Sequence, residues 1–227
     1  MIKVFTIIKD QSERIPKKNF QILNGKELWK NLIEELSGFD IYINTDSEDV
    51  IRELNSKEKY KHITCINRKN KHIEWEENPN IRNSPVEEMF NDFARDYCDD
   101  EDILVLTHVT SPFLKKQTLL DAIKLVEDNK YEYVHSVKTI KDFAWLKQKE
   151  SFKEINFDSS IVQLTQDLDP IIISLGAFFI MRKKTLDNNN GKRLGENTFF
   201  YNLSEIESIE IDNLEQLQFA QMLNTLK

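Results

Sequence analysis

Four cations crowd the start of the chain. Lys9, Arg14, Lys17 and Lys18 fall within ten residues, directly after an apolar run from Ile2 to Ile8. That run reads as a buried first strand, and in an open α/β sheet ligands bind beyond the carboxyl ends of the strands. Cations at such a place suit a polyanion such as a nucleoside triphosphate; the alternative is a solvated, charged loop. A second candidate set lies near the other end, in Ser208-Ile209-Glu210-Ile211-Asp212. Strand periodicity puts the two isoleucines on one face and the two carboxylates on the other. Residues two apart on a strand are roughly 6.5–7 Å apart. Such carboxylates suit a hard cation like Mg²⁺, which takes a few carboxylates plus phosphate oxygens. The same pattern also fits an exposed strand face, or a capping box of Asp212 and Glu215 before a last helix. Thr110-Ser111-Pro112 offers hydroxyl donors on a rigid turn after another apolar run. Asn44-Thr45-Asp46-Ser47 reads as a helix cap at a third strand end. His108, on or beside a buried strand, reads first as a hydrogen-bonded core residue.

These residues need a scaffold, and the pattern supplies one. FDIYINT (39–45) and DILVLTHVT (102–110) are apolar, β-branched runs bounded by charges, as in buried parallel strands. Amphipathic helices are predicted from about Glu27 to Ser37, stopping at Gly38; from Ser47; from Ser84-Pro85-Val86-Glu87, a capping box; and from Thr118 to Asp128. YEYVHSV closes this half as a strand. The alternation predicts a parallel sheet with helices on both faces. Regularity fails over 138–170 and resumes with strands at ISLGAFFIM (173–181), FFYNL (199–203) and SIEID (208–212). An amphipathic helix from Leu214 to Leu226 ends the pattern, and DNNNGK (187–192) reads as a mobile loop.

Composition narrows the partners. The chain has 227 residues, 40% of them hydrophobic and 14 of them Phe, enough for one domain with a sizeable core. A net charge of -8 argues against general binding to nucleic acid or anionic membrane. No apolar run reaches the ~20 residues of a membrane span, and the N-terminus lacks a signal-peptide pattern. Cys65 and Cys98 have no metal or redox spacing. With five glycines there is neither a Walker A loop nor a GxGxxG loop. A cytoplasmic protein is expected.

In order along the chain come Lys9 to Asn19 (KDQSERIPKKN), Asn24-Gly25-Lys26-Glu27-Leu28, Asn44-Thr45-Asp46-Ser47, Thr107-His108-Val109-Thr110-Ser111-Pro112, Leu175-Gly176-Ala177-Phe178-Phe179 and Glu210-Ile211-Asp212. Together they resemble the acylneuraminate cytidylyltransferases, also called CMP-sialic acid synthetases, over nearly the whole chain. The matching family segments are RGGSKGIPRKN, NGKPL, STDS, LQPTSP, NGAFY and DID. The resemblance implies a three-layer α/β fold of the nucleotide-diphospho-sugar transferase type with a mostly parallel sheet. It implies a catalytic domain of residues 1–137 and 170–227, a dimerisation insert of 138–169, and a homodimer. The implied reaction moves CMP from CTP to the anomeric hydroxyl of an acidic keto-sugar and releases pyrophosphate. Lys9 and Lys18 would be catalytic. Lys9, Ser12 and Lys18 would meet phosphate, Asn19 the base, and Arg68, Ser84 and His108 the rest of the CTP. Thr110, Ser111 and Gln166 would face the sugar, and Glu210 and Asp212 would hold Mg²⁺. Several positions depart from the family. Its loop glycines are Asp10, Gln11 and Arg14 here, and its loop lysine is Glu13. Its glutamine is His108, and its arginine before Gln166 is Thr165. A relative that binds nucleotide or sugar without turnover, or one with a different base or sugar, stays open.

Overall fold

The computed structural model describes residues 1–78, 80–81 and 83–225. The first strand, β1 (Ile2–Ile8), is buried at six of its seven positions, as an apolar run in mid-sheet should be. The basic loop follows and ends in a 3₁₀ turn at Lys18–Phe20. A short ribbon, β2 (Ile22–Leu23) and β3 (Lys26–Glu27), turns the chain into α1 (Leu28–Glu35). Next come β4 (Asp40–Thr45), α2 (Glu48–Ser56), β5 (Ile63–Asn67), α3 (Asn70–Glu77), α4 (Val86–Tyr97), β6 (Ile103–Thr107) and α5 (Lys116–Glu127). After β7 (Tyr133–Ile140) comes a separate hairpin of β8 (Trp145–Gln148) and β9 (Ser151–Glu154). Then follow β10 (Ile171–Arg182), α6 (Lys183–Asn188), β11 (Thr198–Asn202) and α7 (Leu214–Thr225).

Seven strands form one sheet in the order β11-β7-β10-β6-β1-β4-β5. β4 and β6 flank β1 in parallel, β5 runs parallel to β4, and β11 runs parallel to β7. β10 is antiparallel to both its neighbours, so it alone in the sheet runs against the rest. The chain moves outward from β1 to β4 and β5, then crosses to β6 on the other side. The crevice between β1 and β6 is therefore a topological switch point, where such sheets bind ligands.

Helices cover both faces. On one face Trp29 and Leu32 of α1, Val50 and Leu54 of α2, and Leu119 and Ile123 of α5 pack on Val4, Ile41 and Val105. On the other, Met89, Phe90 and Phe93 of α4 and Leu186 of α6 pack on Phe5, Leu104 and Leu106. A third, smaller cluster joins Ile15 of the basic loop to Leu23, Leu28, Phe113, Ile211, Leu217 and Ala220. The three-layer, mostly parallel arrangement is the one expected.

Some expectations change. Ser208 to Asp212 is not a strand: the segment is a turn and an irregular stretch before α7. Its alternation arises because Ile211 and Ile209 pack in the third cluster, not in a sheet. β5 and α3 carry no clear sequence signal and are additions. The irregular region holds the β8–β9 hairpin. DNNNGK is no loose loop: Asp187 and Asn188 close α6, and the Gly191 carbonyl accepts a 3.0 Å bond from Asn91 Nδ2. α7 buries Leu217 and Ala220 but exposes Leu214, Phe219 and Met222, so its apolar residues do not fall on one face. Leu226, expected in this helix, lies outside the described residues.

Phe93 stacks on Phe5 at 4.8 Å between ring centroids and packs against Phe90, Tyr42 and Tyr97. Phe93→Ala is expected to cost about 3–5 kcal/mol of stability, read from urea unfolding. A loss below ~1 kcal/mol would mean that α4 does not depend on this ring.

Candidate active site

The carboxyl ends of adjacent strands bring the candidate residues together: Lys9 follows β1, Asp46 follows β4, Arg68 follows β5 and His108 follows β6. The basic loop is pinned at both ends. Thr45 Oγ1 donates to the Ile8 carbonyl at 2.7 Å, and the Asp10 amide donates to Asp46 Oδ1 at 3.0 Å. Asn19, 4% exposed, donates from Nδ2 to the Lys9 carbonyl at 2.9 Å and closes the loop on itself. The buried Ile15 anchors the middle. The family's loop glycines are not required here: Asp10, Gln11 and Arg14 all have negative φ, and the left-handed position is Lys17, at φ 48°.

Two carboxylates collect the cations. Asp212 Oδ1 accepts from Arg14 Nη2 at 2.8 Å and from Lys18 Nζ at 3.1 Å. Glu76 on α3 meets Lys9 Nζ at 2.7 Å through Oε1 and Arg68 Nη1 at 3.1 Å through Oε2. Arg68 is almost wholly buried. Its Nε donates to Asn44 Oδ1 at 3.2 Å, Asp46 lies 3.6 Å from Nη1, and Nη2 has no partner among the described residues. Burial lowers its pKa against the opposing pull of Asp46 and Glu76.

Glu210 has a different environment. Its Oε1 accepts from the Gly176 amide at 2.6 Å and from Ser111 Oγ at 3.3 Å, and among the described residues it has no ion-pair partner. Burial raises its pKa, the Gly176 amide opposes that, and Asp212 adds to it. His108 Nδ1 lies 2.7 Å from the Gly176 carbonyl. A carbonyl only accepts, so Nδ1 carries the proton and Nε2 of the neutral ring is left as an acceptor. Burial keeps the ring neutral by lowering its pKa. Gly176 thus sits between the two: a Cβ there would lie 2.9 Å from Glu210 Oε1 and 3.2 Å from His108 Nδ1.

Ile211, fully buried, lies between the two carboxylates in sequence, and its amide donates to the Thr110 carbonyl at 2.8 Å. The cap of α7 is not Asp212 with Glu215. Asn213 Oδ1 accepts from the Gln216 amide, and Gln216 Oε1 accepts from the amides of Asp212 and Asn213. The Asp212 carboxylate therefore faces the basic loop instead of the helix.

The structure joins Lys18 to Asp212, Ser111 to Glu210, and Lys9 to Arg68 through Glu76. It does not bring every predicted residue in. Ser12 is half-buried in the loop. Ser84 is exposed and accepts from the Val86 amide at 3.3 Å, as a local cap of α4. Gln166 is exposed on a 3₁₀ turn of the insert, its carbonyl bonded by Lys141. Sequence reasoning missed Glu76, which lies in a helix without an apolar face. It missed the part of Asp46 in holding the loop, for which a capping signal was the only cue. A separate three-ligand cluster, His72, Glu88 and Asp92, joins α3 to α4, but Lys69, Lys71 and Arg95 already pair its carboxylates.

A cytidylyltransferase family profile matches residues 10–222, from just after Lys9 of the basic loop, through Glu210 and Asp212, into α7. The chain belongs to the cytidylyltransferase family. As a member it is a nucleotidyltransferase that uses CTP. A search of curated proteins finds no match. Solved structures share the fold at low identity. A CMP:2-keto-3-deoxy-manno-octonic acid synthetase complexed with CTP aligns at a TM-score of 0.64 and 12% identity, over 99% of this chain and 98% of its own. The 2-C-methyl-D-erythritol 4-phosphate cytidylyltransferase of Francisella tularensis gives 0.64 and 14%, over 97% and 98%. The 4-diphosphocytidyl-2C-methyl-D-erythritol synthase of Anaerococcus prevotii gives 0.65 and 12%, over 99% and 98%. No helix among the described residues of this cytidylyltransferase is long and apolar enough to cross a membrane.

Two outcomes are expected. Gly176→Ala forces a methyl group against Glu210 and His108, and CTP-dependent turnover should fall by about 10²-fold while the unfolding midpoint moves little; unchanged kinetics would show that the spacing is not critical. Glu210→Gln tests the half-buried charge. A raised folded pKa means Glu210 disfavours the folded state when ionised, a cost that accrues as pH rises from the unfolded value of 4.5, is complete above the folded value and vanishes at acid pH. The variant should therefore be more stable than the wild type near neutrality, and the difference should close below the ordinary value of 4.5. A constant difference across pH would assign it to packing.

Proposed function

We propose that this cytidylyltransferase transfers CMP from CTP to the anomeric hydroxyl of a sialic-acid-like 2-keto sugar acid, as in the acylneuraminate branch. One observation carries the reading: the basic loop's Lys18 and Arg14 meet Asp212, two residues from the half-buried carboxylate of Glu210, which has no ion-pair partner among the described residues. A triphosphate would draw Lys9, Lys18 and Arg14 to its oxygens, with Ser12 as a further donor. Asn19 would hold the loop closed through Lys9, with its remaining amide oxygen turned toward the base. Arg68 would steady the nucleotide from the β5 end. Ser111 and Thr110 would orient the sugar at the β6 end, His108 Nε2 would meet the CTP, and Ser84 would lie at the rim.

Glu210 and Asp212 fit a Mg²⁺ ion: both are hard oxygen ligands, and Glu210, half-buried, has no ion-pair partner among the described residues. When bound, such an ion offsets negative charge on the phosphates as pyrophosphate leaves. The chain's own part is positional. Ile211 fixes the two carboxylates, and the loop cations neutralise the in-line transition state.

The insert supports a homodimer. Phe143, Trp145, Phe152, Val162 and Leu164 are all exposed there, an apolar group that a second copy would cover. Gln166 on the same insert would then reach a sugar site across the interface.

The test is pyrophosphate release with CTP, Mg²⁺ and a panel of sialic, legionaminic, pseudaminic and Kdo acids. Turnover is expected with at least one acid, falling by about 10²-fold or more in Glu210→Ala and Asp212→Ala. Release equal to those variants on every acid would sink the sugar-acid assignment. Preference for UTP or GTP in a competition titration would remove CTP.

A further inference from the structure

We propose that Glu76 occupies the seat a nucleotide phosphate takes, and that a bound triphosphate displaces it. The proposal rests on the CTP reading above and adds a regulated, competing anion to it. Three observations carry it.

First, a single carboxylate bridges cations from two strand ends. Lys9 follows β1 and Arg68 follows β5, and Glu76 meets them at 2.7 and 3.1 Å with one oxygen each. A phosphate group bridges a lysine and an arginine in the same way, with one more oxygen to offer. Second, that extra oxygen has a waiting donor. Arg68 is 6% exposed, and its Nη2 has no partner among the described residues. A buried N–H left without an acceptor is costly, so the seat is only partly satisfied by a carboxylate.

Third, α3 is lightly held. In Asn70–Glu77 only His72 is buried, and neither of its ring nitrogens has a hydrogen-bond partner. Beyond that, Trp75 Nε1 donates to the Asn83 carbonyl at 3.0 Å, His72 Nε2 lies 3.5 Å from Glu88, and the remaining ties of α3 to α4 are the pairs Lys69–Asp92 and Lys71–Glu88, in which both lysines are about half exposed. Pairs of that kind are worth little in water. α3 can therefore give way without opening either main apolar core. When Glu76 leaves, Asp46 at 3.6 Å still faces Arg68, so the buried guanidinium is not stranded. The helix would thus report the occupancy of the site at its other end.

The experiment measures binding of CTP and of inorganic triphosphate by calorimetry to the wild type, Glu76→Gln and Glu74→Gln, with amide exchange across α3 followed in the wild type. Glu74, exposed on the same helix, controls for the mere loss of one negative charge. Glu76→Gln should bind both probes about fivefold tighter, the scale of one released ion pair, and Glu74→Gln should match the wild type. Amides of α3 should exchange faster in the liganded wild type. Equal or weaker binding by Glu76→Gln, or equal gains in both variants, would overturn the proposal while wild-type CTP binding keeps the CTP reading intact. Unchanged or slower exchange of α3 with ligand would overturn it as well, whether or not the variant folds. Failure of every protein to bind either probe would remove both.

Discussion

The site stands on a small apolar cluster that belongs to neither of the main cores. Ile15 of the first loop, Leu23 of β2, Leu28 at the start of α1, Phe113 after β6, Ile211 between the two carboxylates and Leu217 of α7 meet in one place. These residues come from both ends and the middle of the sequence, so no local structure could join them. The ion pair of Arg14 with Asp212 cannot supply that force, because the arginine side chain is 66% exposed and the aspartate 37%. Pairs so exposed contribute about 0–1 kcal/mol, whereas a fully buried isoleucine or leucine contributes about 1.5–3 kcal/mol. Apolar burial therefore sets the position, and the charges use it.

Given that frame, three carboxylates with similar chemistry do different work. Asp212 accepts two loop cations, and Glu76 accepts two strand-end cations. Glu210 meets only a backbone amide and a hydroxyl, and burial pushes its pKa up. An ionised group so placed gains most from any cation that arrives. The Gly176 amide and carbonyl couple it to His108, so one glycine fixes both the carboxylate and the imidazole tautomer. Any other residue would push the Glu210 side chain aside, because a Cβ would fall 2.9 Å from the carboxylate oxygen.

Much of the scaffold was legible. β1, β4, β6 and β10 announced themselves as apolar runs because they are buried in the body of the sheet. β5 did not: it is an edge strand, half exposed, and its alternation is weak. α3 did not either, since its charges run all round and only His72 is buried. Glu76 fell with it. Ser208 to Asp212 gave a false strand for a physical reason. Alternation records which side chains are buried, and a turn pinned by a separate cluster buries alternate residues as a sheet would. The pairing of Glu210 with Asp212 was still readable, because the spacing survives the change of backbone.

The first loop shows how a sequence departure can leave a structure intact. Glycine is needed where φ is positive or where a Cβ would collide. At Asp10, Gln11 and Arg14 the backbone has negative φ, so side chains are admitted without strain. The one left-handed position between residues 9 and 19 is Lys17, where the turn into the 3₁₀ segment needs it. The Asp10 carboxylate accepts from Gln11 Nε2 at 2.8 Å and lies 3.8 Å from Lys17, so it does not compete for Lys18. Its amide meanwhile holds Asp46. Hydrogen bonds to Asp46 and Thr45 thus hold the loop to its neighbours. Its path is set by Ile15, Asn19 and Thr45, and the replaced glycines change the charge at its rim while Lys18 keeps its place against Asp212.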